Sequence, residues 1–165
     1  MQSPLPYQDI KPVGAADFYF VINATFSFIA QRLGLAALRD YWTALGREYF
    51  APVSRRWQSR GLAGVAEYWR AFFAAEPGAE VEVIEASESV TLEVRTCPAI
   101  RHLREHHRPI VPCFCQHCYF VGDAMAASAG LKLRVHGGNG SCRQTVFRKD
   151  AGVPDQDLAH IKEAT

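Results

Sequence analysis

The apolar period of the chain changes at Pro77-Gly78, so helices must be joined to a sheet. Ahead of that point Phe18, Val21, Ile22, Phe26, Ile29 and Leu33 recur at helical spacing within 15–33. A second helix is expected over 35–50, with Leu38, Tyr41, Trp42, Leu45 and Tyr49 on one stripe, and Pro52 ends or restarts it. A third is expected over roughly 64–75, its apolar face carrying Val65, Tyr68, Trp69, Phe72 and Phe73. Beyond Gly78 the period drops to two. Val90, Leu92 and Val94 alternate with Thr91, Glu93 and Arg95, and 81–86 supplies the other strand of a hairpin turning at 87–89. Pro98 opens a short helix over 99–106, and another helix runs from about Cys115 to Ala129, closed by Gly130. A second hairpin, 131–136 with 142–148, turns through Gly137-Gly138-Asn139-Gly140. The predicted class is α+β: N-terminal helices packed on a small antiparallel sheet made of two hairpins, with helices between them. Residues 1–14, with Pro4, Pro6 and Pro12, read as an extended arm, 15–150 as one domain and 151–165 as a C-terminal tail.

At 165 residues, 48% apolar and 21% charged, the chain can bury a core without staples. Eighteen Lys and Arg against 17 Asp and Glu leave no field that would gather nucleic acid. The N-terminus lacks a signal-peptide pattern, and the apolar run 18–30, interrupted by Asn23, is too short to span a bilayer. The expected location is therefore the cytoplasm, away from membranes, where thiols stay reduced. Five cysteines, an odd number, cannot close into a full disulfide framework. The expected partner is a small-molecule substrate, and the apolar first helix also offers a surface for a homodimer.

The chemistry concentrates between Cys97 and Cys142. Cys113, Cys115, His117 and Cys118 fall within six residues at a predicted helix start. There Cys115 and Cys118 lie about 60° apart, where free amides and the helix dipole favour a thiolate. On that ground their pKa is expected to move toward neutrality. Cys97 holds the equivalent place before Pro98, and Cys142 can approach from the last strand if the Gly-rich turn folds back. Two functions suit this set. In one, a thiolate attacks while His117 or His136 moves protons. In the other, Cys97, Cys115, Cys118 and Cys142 bind zinc or an iron–sulfur cluster, although a single C-x-x-C is only moderately specific for metal. No cofactor is required by the first, and zinc is the candidate for the second. Cys113, between a proline and a phenylalanine, reads as a small buried hydrophobe. Asp123 reads as either a supporting or a surface residue.

The run Thr96-Cys97-Pro98-Ala99-Ile100, then Cys115-Gln116-His117-Cys118, Gly130-Leu131 and Gly137-Gly138-Asn139-Gly140-Ser141-Cys142, resembles the L-2-amino-thiazoline-4-carboxylic acid hydrolase family over roughly 60–149. The layout is also similar to 4-vinyl reductase type small-molecule-binding domains. The resemblance implies a hydrolase that opens a thiazoline-like C–N bond, with Cys97, Cys115, His117, Cys118 and Cys142 as its catalytic stations. A ring carboxylate would then be met by a cation, Arg143 or Arg134, or by the Gly137–Ser141 turn with Gly138, Asn139 and Ser141. The related domain type implies instead a sensory module that binds metal or ligand without turnover.

Overall fold

In the computed structural model residues 14–165 are described, so the expected arm falls outside the described residues except for Gly14. Helix α1 spans Phe18–Ala44, a π-helical turn follows over Leu45–Tyr49, and α2 spans Ala51–Ala74. Strands β1 (Glu80–Glu85) and β2 (Ser89–Thr96) lead into α3 (Pro98–Glu105), a 3-10 turn over Pro112–Cys115 and α4 (Gln116–Ser128). Strands β3 (Leu131–Gly138), β4 (Ser141–Arg148) and β5 (Ile161–Lys162) complete the chain. The sheet order is β1-β2-β4-β3-β5. The architecture is α+β, as the change of period predicts.

The helical breaks fall where the sequence puts them, while one edge of the sheet departs from it. The first two expected helices meet at Gly34, whose non-helical φ of 87° ordinary residues avoid. By length and composition the run Phe18–Tyr49 is now sufficient to cross a bilayer, unlike the shorter 18–30 segment. Asn23, Phe26, Leu38 and Trp42 on it are nonetheless buried in the protein. Of the two roles the sequence allows Pro52, the structure has the restart: it sits in the first turn of α2, which needs no proline N–H. Finally, the sheet is not purely antiparallel, since β5 adds a parallel edge beside Gly137 and Gly138.

Residues 151–165, set off above as a tail, return to the sheet. Gln156 bonds both the N–H and the carbonyl of Val135, at 2.8 and 3.1 Å, and the Arg134 Nε donates to Pro154 O at 2.6 Å. Helices α2 and α4 pack on the sheet, and α1 lies against α4 and α3. Two cores result. One joins Trp57, Val65 and Trp69 to Leu92, Leu133 and Val146, while the other joins Phe26, Leu38 and Trp42 to Ile100, Leu103 and Phe114. Cys97 and Cys115 touch both, so the cysteine stretch lies on the seam between them.

Candidate functional site

Four thiols reach that seam from four separate places. Cys97 caps α3, Cys115 ends the 3-10 turn and caps α4, Cys118 lies in the first turn of α4, and Cys142 lies on β4. Together with His117, Gly137, Gly138 and Ser141 they line one cavity of about 30 Å³. The hairpin register brings Cys142 in: it pairs with Val94 on β2 and with Gly137 on β3. Period two then puts Cys142 and buried Gln144 on the inner face and Arg143 on the outer one.

Each sulfur has N–H groups near it. The backbone amide of Asn139 donates to Cys115 Sγ at 3.2 Å, and the Gln144 side-chain amide reaches Cys142 Sγ at 3.9 Å. The amides of Ile100 and Ala99 act on Cys97. His117 Nδ1 donates to Phe114 O at 2.6 Å, and its Nε2 stands 3.7 Å from Cys118 Sγ.

The expected drop in thiol pKa does not occur. Burial pushes Cys97 and Cys118 up to about 11 and Cys115 to about 12, and raises Cys142 as well. Nearby amides pull Cys97 and Cys115 down, but they do not overcome the loss of water. The thiols also resist one another: a charge on Cys118 raises Cys97, Cys115 and Cys142. Burial lowers His117, so it is neutral at pH 7. Without a cation the site is a cluster of neutral thiols beside a neutral imidazole.

Other sequence candidates stand apart from this cavity. Arg143 is exposed and paired with Glu93 at 2.7 Å. His136 is exposed and stacks on His160, with ring centroids 4.6 Å apart. Asp123 accepts from the Leu133 N–H at 3.2 Å, which ties α4 to β3. Cys113 is buried in the aromatic core. Of the expected ligand-binding residues, Gly138 and Ser141 line the cavity, while Asn139 reaches it through its amide. Gln144 adds a contact that the cysteine pattern does not announce, although its place two residues after Cys142 puts it on the same face. As the side chains stand, no group of three or more His, Cys, Asp or Glu among the described residues is arranged to hold a metal ion.

In comparisons with known proteins, no family model, curated protein or solved structure matches the chain.

Proposed function

We propose that the chain is a metal-binding module in which Cys97, Cys115, Cys118 and Cys142 hold one soft divalent cation, with zinc the first candidate. The observation that carries this reading is the convergence of four thiols on a cavity of about 30 Å³. A water needs about 10–15 Å³ of such space, so the cavity suits about two or three bodies of that size. Small-molecule pockets are typically about ten times larger or more. The donor set also fits, because soft thiolates favour zinc and N–H groups near the sulfurs support their charge. Loading would rotate the thiols inward and displace their protons.

Elemental analysis of protein purified without chelator tests the reading. One zinc per chain is expected, with about four protons released when zinc is added back to chelator-treated protein at pH 7. Metal-free protein whose five thiols all titrate in the native state would overturn it.

The Cys118–His117 contact favours a second reading, hydrolysis of a small heterocycle as the family resemblance implies. Cys118 would add to an amidine-like ring carbon while His117 carries its proton to the ring nitrogen, and water would release the product. This reading requires the cavity to widen and the neutral pair to ionise. Turnover of 2-amino-thiazoline-4-carboxylate by chelator-treated protein, abolished in Cys118→Ser, would put it first.

A further inference from the structure

We propose that Ile161–Thr165 is a strap that closes the thiol cavity over Cys115 and undocks to give access to the sulfurs. It deepens the metal-binding reading, on which it rests for taking this cavity as the working site. Ile161 and Lys162 pair in parallel with Gly137 and Gly138, both of which line the cavity. The approach at Gly138 is close. A Cβ there would stand 3.1 Å from Lys162 N and 3.3 Å from Cys115 Cβ, so strap, hairpin and cysteine turn meet at one glycine.

Beyond the ladder the strap is latched twice. The Ala164 N–H donates at 2.9 Å to the carbonyl of Pro112, the residue that opens the Pro112–Cys115 turn. The Thr165 N–H donates to Asn139 Oδ1 at 2.9 Å, and Asn139 Nδ2 donates to Thr165 Oγ1 at 3.2 Å. Asn139 thus holds the strap with its side chain and Cys115 with its own amide. Arg104 completes the latch, donating from Nε to Thr165 O at 3.1 Å and from its terminal nitrogen to Asn139 Oδ1. Arg104 belongs to α3, the helix capped by Cys97. The strap therefore bridges the segments that carry Cys97, Cys115 and Cys142.

It is also built to release more readily than its neighbours. Its ladder is two residues long, against eight in each of β3 and β4. Within it only Ile161 and Ala164 are buried. Short ladders with few buried groups open at lower free energy than the core.

The test is iodoacetamide labelling of reduced, chelator-treated full-length chain at fixed pH, read cysteine by cysteine by peptide mass. Asn139→Gly keeps the backbone at the observed φ of 57° and keeps the amide to Cys115 while deleting the Asn139 side-chain part of the latch. Ile161→Ala removes the buried anchor. Each is expected to speed Cys115 labelling about tenfold, with amide exchange across 161–165 quickening alongside and Cys113 unchanged. Wild-type labelling rates at Cys115 in both variants would overturn the strap. Because the labelled protein is metal-free, the two ideas fail separately. Faster labelling in protein that takes up no zinc keeps the strap and rejects the metal reading. One zinc per chain with unchanged labelling does the reverse.

Discussion

Cys113 and Cys115 share one 3-10 turn, which sends the first into the aromatic core and the second into the cavity. Cys113→Ala is accordingly expected to keep one zinc per chain and to cost about 1 kcal/mol of stability. Cys142→Ser is expected to lower zinc content sharply at a similar stability cost, and elemental analysis beside thermal melts checks both. Loss of zinc in Cys113→Ala alone would mean that the turn presents the wrong sulfur. This division is legible in the sequence, because Cys113 sits between Pro112 and Phe114. The ionisation state is not. Sequence shows which cysteines begin helices, but it does not show the water they lose or the three other thiols each one faces. Arg143 fails for a plainer reason: alternation along β4 already puts it on the face opposite Cys142.

At the scale of elements, the packing of the π-helical turn on α4 depends on Gly46. A Cβ there would overlap the carbonyl oxygen of Val121 and come within 2.8 Å of Ala124 Cβ. Gly46→Ala is expected to cost about 1–3 kcal/mol, read as a fall in Tm of several degrees. Gly61→Ala, whose Cβ meets nothing within 4 Å but whose φ is 60°, tests backbone strain alone. Most element boundaries can be read from apolar period, proline and glycine, as at Gly34 and Gly130. Strand β5 cannot. Two residues have no period, and their pairing is set by partners distant in sequence, notably Gln156 on Val135 and Ala164 on Pro112.

For the whole molecule, the raised thiols link stability to pH in a definite direction. An unfolded cysteine titrates near 9.0, whereas folded Cys97 and Cys118 titrate near 11. A raised folded pKa gives stability that is complete below the unfolded value and lost as pH climbs through the folded one. Metal-free reduced protein is therefore expected to keep a level Tm up to pH of about 8.5 and to lose stability between about 9 and 11. Thermal melts across that range check it, and a rising Tm would show that these half-buried thiols are not shielded from water as described.

The register of β4 has one more consequence. Cys142 faces inward only because it stands opposite Val94 and Gly137. A slip of one residue would carry it to the outer face and bring Arg143 inward. The cavity thus has its fourth wall in one pairing of the hairpin and not in its nearest competitors. Anything that requires all four sulfurs acts as a proofreader of strand alignment, accepting the correctly zipped sheet and passing over the misaligned one.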